Sequence, residues 1–541
     1  MLTGSDIFKN RETSVSSKLK WTPSIDTDVT LRAFYDDTNS DQGAGYGVFP
    51  GSVGVDGTRY IGKYEIANRR DPEMFSEQYN VGLKVSQNLG FATLLSLTGF
   101  NHTDNTVRAS QNGIPGLPVT GQSGIEFNNI GTSRTFTQEV QLLSRGDGSL
   151  RWILGAFYLH DRLDLIVETL PTCVGNICAR APTASRIFGG QDLKSYAAFG
   201  EVTIALDRAT RLTLGARYTS DHRDISDGYR EPIRGLPVSV PSLPAPIRPG
   251  DPFPGFPNGI DPTVTFDKVT WRGVVAHDFT PRVMAYASVN RGFKAGALSP
   301  VTASNPAARP EVLDAYEVGV KSQLFDRRLR ANLSAYHYDY KDVQLRTLGP
   351  PAPPGTSIIY NAAAARVRGV DAEFVLTASR HLRLNASFSI VDAEFTSFPA
   401  GICSITRPIN PATTPAVLGG TTSAACDLSG FRMPRAPKFT GIAGFSYRVP
   451  TRMGAFGLVV NDAYNSGFFW EPDNRLRQRS YHQLSGSITW TTPDERFDVQ
   501  LYGRNVNNPY YFNAAAEGAG GNDTYNPGDR ATYGVRLGVR L

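Results

Sequence analysis

The sequence predicts an all-β chain, a transmembrane antiparallel meander β-barrel of about nineteen strands with short turns at one end and long loops at the other. Three observations carry this. Apolar and polar residues alternate with period two in segment after segment. No stretch of the 541 residues approaches the roughly 20 apolar residues of a membrane helix. The connections alternate between short and long along the whole chain, which a soluble sandwich has no reason to do.

The alternation is plainest at the C-terminus. In RATYGVRLGVRL, Ala531, Tyr533, Val535, Leu537, Val539 and Leu541 take turns with Thr532, Gly534, Arg536, Gly538 and Arg540. HLRLNASFSI sets Leu382, Leu384, Ala386, Phe388 and Ile390 against Arg383, Asn385, Ser387 and Ser389. RLTLGARYTS, FDVQLYGRN and LRANLSA repeat the pattern. Lipid takes the aliphatic face, and a wide wet or plugged lumen takes the arginines.

The predicted strands run at 12–22, 28–38, 74–88, 91–104, 133–145, 149–168, 193–206, 210–224, 266–280, 282–293, 313–325, 328–346, 357–378, 381–396, 435–449, 454–468, 479–491, 496–507 and 530–541. Many hold ten or more residues with no turn residue inside, against about 5–6 in soluble strands. Short turns fall at TPSIDT, NLG, DGS, DRA, TPR, DRR, SRH, VPTR and TPDE. Long loops fall at 39–73, 105–132, 169–192, 225–265, 294–312, 347–356, 397–434, 469–478 and 508–529. Proline crowds the fourth of these, EPIRGLPVSVPSLPAPIRPGDPFPGFPNGIDP, as suits an unpaired segment. Trp21, Trp152 and Trp490 beside short turns, and Trp470 beside a long loop, fit interfacial girdles.

Composition excludes other classes. Lys+Arg is 55 and Asp+Glu 50, a net charge of +5 with no basic run, so nucleic acid is not the partner. A hydrophobic content of 40% is compatible with a barrel, because half of each strand is polar. The four cysteines form two local pairs in loop segments, Cys173 with Cys178 and Cys403 with Cys426. No histidine completes a zinc pattern, so two loop disulfides in an oxidising compartment are expected, with four free thiols as the alternative.

NRGFKAGALSP (290–300), AYEVGVKSQLFDRRLRANLSAYHYDYKDVQ (315–344), NAAAARVRGVDAEF (361–374) and GRNVNNPYYFN (503–513) resemble the C-terminal barrel of TonB-dependent outer-membrane receptors. The resemblance covers essentially the whole chain. It implies a barrel of about 22 strands filled by an N-terminal plug. It implies uptake of scarce large nutrients, most often ferric siderophores, also cobalamin, haem or oligosaccharides, driven through TonB. The implied localisation is the cell outer membrane of a Gram-negative bacterium. The implied partners are outer-membrane lipid, the TonB complex through the plug, and the barrel-assembly machinery through the last strand. That strand closes on Leu541, apolar but not aromatic as is usual in the family. No enzyme activity and no resident cofactor are implied, the iron of a chelate being cargo, and the barrel is expected as a monomer without nucleic acid.

The N-terminus departs from the family. MLTGSDIFKNRETS has no basic start, apolar core or small-residue cleavage site, and it leaves no room for a plug. The whole of 1–541 is expected as one barrel domain. An odd strand count, with the first strand starting outside and the last ending inside, implies that signal, plug and about three strands are absent. Unpaired edges in hydrocarbon are costly, so such a sheet must close on itself, find a partner or stay open.

No catalytic constellation stands out. The histidines (His102, His160, His222, His277, His337, His381, His482) form no HExxH or ligand cluster. Asp221, His222, Arg223 and Asp224 are expected at a solvated strand end, and NRGFKAG at a rim. Outer-loop aromatics are the ligand-binding candidates: Tyr46, Phe49, Tyr60 and Tyr64 in one loop, and Trp470 after Asn461, Tyr464 and Asn465. Ordinary packing is the alternative for each. Lumen arginines such as Arg211, Arg217, Arg504, Arg536 and Arg540 are expected to pair with carboxylates. A passive channel is the competing function, against which stands the strand count, since porins have about 16–18. A soluble all-β protein would need a second layer over the aliphatic faces, and the sequence offers none.

Overall fold

The computed structural model describes residues 9–41, 47–48, 72–110, 125–146, 148–171, 173–174, 177–178, 185–232, 263–298, 307–347, 358–410, 417–516 and 523–540. Nineteen long strands form one antiparallel sheet in which each pairs with its neighbours in sequence. They are β1 Asn10–Ser24, β2 Thr27–Ser40, β3 Glu73–Asn88, β4 Ala92–Ser110, β5 Ile125–Ser144, β6 Leu150–Pro171, β7 Ser185–Ala205, β8 Thr210–Pro232, β9 Thr263–Thr280 and β10 Val283–Lys294. Then follow β11 Glu311–Leu324, β12 Leu329–Thr347, β13 Ile358–Thr377, β14 Leu382–Ser397, β15 Phe439–Thr451, β16 Gly454–Asn465, β17 Tyr481–Thr491, β18 Phe497–Arg504 and β19 Thr532–Val539. Every predicted strand is present, and the alternation of short and long connections holds throughout.

Register carries one face intact round the sheet. Val275, Ala287, Val318, Ala335, Val370 and Ile390 stand opposite one another in a single row across six strands. One residue along lies the contrasting row Ala276, Tyr286, Gly319, Ser334, Asp371 and Ser389. The first row faces outward and all its members but the half-buried Val370 are exposed, as Val318 and Ile390 show at 57% and 51%. The second faces the lumen. A slip of one residue would exchange the two rows, so the apolar pattern itself fixes register. Trp21, Trp152 and Trp490 all lie on the outward face near short turns, and Trp490 Nε1 donates to the Met453 carbonyl at 2.9 Å. These three match the expected girdle at the short-turn end, whereas Trp470, expected at the other rim, is buried among loop residues.

Several strands run further toward the long loops than the alternation indicates. β5 begins at Ile125 and not at 133, and β7 at Ser185 and not at 193. Both faces are wet there, so the strands continue after the alternation fades. For the same reason Asp221 to Asp224, expected at a strand end, lie within β8, which runs on to Pro232. NRGFKAG lies at the loop end of β10, the expected rim position.

Several of the tight turns rest on left-handed residues. Gly90 and Gly454 have φ of 85° and 114°, and in the turn after β11 Phe325, Asp326 and Arg327 take 51°, 53° and 66°. β1 pairs with β2 and β19 with β18, and no ladder joins β1 to β19 among the described residues. The long loops carry structure of their own. Gly401–Asn410 pairs with Val417–Cys426, and Phe468–Phe469 with Arg477–Gln478. Phe512–Ala516, Thr524–Pro527 and Gly47–Val48 form a small sheet drawn from both ends of the chain.

Candidate functional site

Two regions are shaped to meet other molecules, the lumen wall and the extracellular rim. On the wall, β10 to β17 surround a concavity of about 800 Å³ lined by Tyr286, Lys321, Asn332, Asp371, Glu373 and Gln483, among others. Tyr286 Oη donates to Glu317, and Lys321 Nζ lies 5.6 Å from the Tyr286 ring centroid. Arg330 and Asn332 both donate to Glu373, the second at 3.1 Å. Acceptors and donors alternate along the wall. Such a surface suits a polar polypeptide or solute.

The predicted lumen arginines divide. Arg211 makes a two-pronged contact to Asp278, its Nη2 donating at 3.1 Å. Arg217 lies between Phe157 and Phe199, 5.3 and 5.4 Å from the ring centroids, and Arg504 lies over Tyr502 at 5.7 Å. Those two rest on aromatic faces and not on carboxylates. Arg540 stays at the short-turn end, 3.8 Å from Glu495.

At the rim, Trp470 is packed with Leu476, Ala515 and Tyr525, and Phe468 and Phe512 close the cluster. Trp470 is only 6% exposed, and Arg435 lies over its ring at 5.4 Å. Arg475 clamps Asp523 with contacts of 2.7 and 2.6 Å. Tyr511 stacks on Tyr481 at 4.7 Å, and its Oη accepts from Gln483 Nε2 and the Asp529 amide at 3.0 and 3.2 Å. Burial pushes the Tyr511 phenol above its ordinary value, so it stays protonated. Arg435, Lys438, Arg477 and Arg479 are exposed beside this cluster, and none makes an ion pair among the described residues. Sequence reading missed these four, although FRMPRAPK and NRLRQR carry them in the open.

Tyr46, Phe49, Tyr60 and Tyr64 lie outside the described residues. Gly47–Val48, between the first two in sequence, pairs with Thr524 and Tyr525. Tyr525 belongs to the Trp470 cluster, so the backbone brings one predicted segment to the other predicted residue. Cys403 and Cys426 form a disulfide at the base of their hairpin, beside buried Phe395, Phe398 and Leu428. Cys173 stands opposite Cys178 on the backbone of a second hairpin. Among the described residues no three His, Cys, Asp or Glu side chains are grouped to hold a metal.

The sequence matches the family model of the TonB-dependent receptor-like β-barrel over residues 19–508. It is 26% identical over 245 residues to the metal-pseudopaline receptor CntO of Pseudomonas aeruginosa (strain UCBPP-PA14), a match covering 43% of this chain and 30% of the relative. The chain thus spans less than a third of that relative's length. The fold is shared with solved structures, two of which illustrate it. The ferric yersiniabactin uptake receptor FyuA from Yersinia pestis superposes with a TM-score of 0.75 at 16% identity, covering 99% of this chain and 72% of the other. The siderophore receptor PiuA from Acinetobacter baumannii gives 0.73 at 15% identity, covering 98% and 74%. With the meander, the outward apolar belt and the polar lumen in place, the family match over nearly the whole chain decides the matter: this outer-membrane chain belongs to the TonB-dependent receptors, a family of receptors and transporters and not of enzymes.

Proposed function

We propose that the chain is the barrel of a TonB-dependent receptor that takes up a scarce, large nutrient, with an anionic metal chelate of the ferric-siderophore class as its ligand. The observation that carries this is the group of exposed cations at the rim. Arg435 over Trp470, with Lys438, Arg477 and Arg479, stands at the rim of a polar lumen whose wall holds the concavity of about 800 Å³. Unpaired cations beside an aromatic cluster attract anionic chelates and orient them. The printed names of the relatives, receptors for metal-pseudopaline and ferric yersiniabactin, support the same ligand class. On this reading the lumen wall takes a plug segment, through which TonB acts, and the protein is a monomer with no resident cofactor.

The experiment is ligand binding by the detergent-folded chain, using anionic ferric catecholate and citrate complexes, a neutral ferric hydroxamate and cobalamin. Anionic chelates are expected to bind, with affinity falling at least about tenfold when Arg435, Lys438, Arg477 and Arg479 are changed to Gln, and falling steeply with salt. Preference for cobalamin or the neutral chelate refutes the ligand class. Steady single-channel conductance without binding of any ligand replaces the receptor with a passive channel.

A further inference from the structure

Four consecutive short turns, those joining β11 to β12, β13 to β14, β15 to β16 and β17 to β18, carry five arginines: Arg327 and Arg328, Arg380, Arg452 and Arg496. All five are exposed, and none has an ion-pair partner among the described residues. The carboxylates of the same turns are held elsewhere. Asp326 meets Arg282 at 3.2 Å, and Glu495 meets Arg448 at 3.3 Å and Arg540 at 3.8 Å. Asp494 accepts from the Thr492 hydroxyl at 2.6 Å and from the Arg496 amide at 3.2 Å. Two of these turns also expose bulky apolar side chains, Phe325 at 72% and Met453 at 69%. The far arc of the rim differs. There Lys20 pairs with Asp28 at 3.1 Å, Asp26 lies in the same turn, and Arg208 shares its turn with Asp207.

We propose that this arc of arginines docks on the phosphates of anionic phospholipids in the inner leaflet, with Phe325 and Met453 entering the boundary between headgroup and acyl chain. Short turns mark the periplasmic end of such a barrel, so the arc lies at that leaflet. Neighbouring turns are two strands apart, about 10 Å, so the four span about 30 Å of rim and meet several headgroups at once. The planar guanidinium forks suit phosphate oxygens, and their aliphatic stems lie along apolar surface while the charge stays wet.

The apolar residues choose between a lipid surface and a soluble polyanion. An acidic protein or polymer in the periplasm would satisfy the arginines and leave Phe325 and Met453 wet. A leaflet satisfies both, because it sets phosphate beside hydrocarbon. The arc is also continuous with the lipid-facing belt. Trp490 lies on the outward face and its Nε1 donates to the Met453 carbonyl at 2.9 Å, so the turn that carries Arg452 begins where the girdle ends. The surface potential of anionic lipid gives each unpaired cation near it on the order of fivefold in affinity.

Native mass spectrometry of the full detergent-folded chain with an equimolar mixture of dimyristoyl phosphatidylglycerol and dimyristoyl phosphatidylcholine tests this. The anionic lipid is expected to be retained at least about threefold over the zwitterionic one. Changing Arg327, Arg328, Arg380, Arg452 and Arg496 to Gln should remove that preference, and changing the same five to Lys should keep most of it. Phe325→Ser with Met453→Ser should cut retention of both lipids and keep the preference. Changing Arg435, Lys438, Arg477 and Arg479 to Gln should leave the preference intact, which separates this arc from the ligand site at the other rim. Heat-modifiable gel mobility checks that each variant is folded, and Arg380→Gln with Arg452→Gln serves if the five-residue variant is not. Equal preference in wild type and the Gln variant overturns the proposal. Retention untouched by the Ser variant, with inorganic polyphosphate displacing the anionic lipid, also overturns it, in favour of a soluble polyanion.

Discussion

Thr524 pairs with Val48 across an antiparallel ladder, joining the loop after β2 to the loop before β19. The two strands lie near opposite ends of a nineteen-strand order, so the sheet curls far enough for loops from its two ends to pair. Residues directly opposite on such a ladder have Cβ atoms about 4.5–5.5 Å apart. Val48→Cys with Thr524→Cys is therefore expected to cross-link under mild oxidation, giving a mobility shift on a denaturing gel that reductant reverses. No shift, with both thiols reactive to maleimide, would mean that the ends do not meet.

Ion pairs on the outward face differ in worth according to burial. Arg291 donates to both Asp314 oxygens at 2.6 and 2.7 Å, and the Asp314 side chain is 12% exposed. Arg11 and Asp37 are 3.9 Å apart, and Arg11 is 78% exposed. Asp314→Asn is expected to cost about 1–3 kcal/mol in urea unfolding, because a part-buried guanidinium loses its clamp. Asp37→Asn should cost about 0–1 kcal/mol. Equal losses would refute the distinction.

Glycine is required where an aromatic ring crosses the lumen wall. A Cβ on Gly369 would meet the Tyr336 ring and, at 2.8 Å, the Ile390 carbonyl, whereas one on Gly292 would meet nothing within 4 Å. Gly369→Ala is predicted to destabilise by about 1–3 kcal/mol through overpacking. Gly292→Ala should stay within about 0.5 kcal/mol of wild type.

The Cys403–Cys426 disulfide closes 23 residues. In the chain-entropy model such a closure contributes about 3.4 kcal/mol. Cys403→Ala with Cys426→Ala should speed amide exchange in Gly401–Asn410 and Val417–Cys426 while the barrel strands keep their protection. Loss of protection throughout the barrel would show that the hairpin is not a separate unit.

Asp427, next to that disulfide, is held below the usual carboxylate range by the Ser429 hydroxyl and then by the Ser429 amide. A lowered value in the folded state means that its support is present above the ordinary range, near about 3.9, and is lost as pH falls through the lowered value. Exchange protection of the turn after Cys426 should therefore persist at pH 5 to 7 and decline on stronger acidification. Asp427→Asn should remove that acid-dependent step.

The strands were legible because lipid on one side and water on the other write a period of two into each of them, as in Leu382 to Ile390. The same physics explains the misplaced starts at Ile125 and Ser185, where water on both sides erases the period. The loop sheet was not legible, since pairing of Val48 with Thr524 depends on how far the whole sheet curls. Trp470 was visible as an aromatic by a loop, but its burial beneath Arg435 is a tertiary fact. The arginines of the short turns were each visible in the sequence. That Arg282 and not Arg327 takes Asp326 was not, because contacts between turns set it.

The strict alternation of tight turns and long loops also governs how such a protein can change over generations. An insertion inside a strand moves half of that strand's side chains to the wrong face, and a tight turn with three left-handed residues in succession, Phe325 to Arg327, leaves little freedom in length. Length can drift only in the loops on one side of the membrane. Lineages can therefore diversify what the protein meets outside the cell while the part that holds it in the membrane is inherited almost unchanged in size.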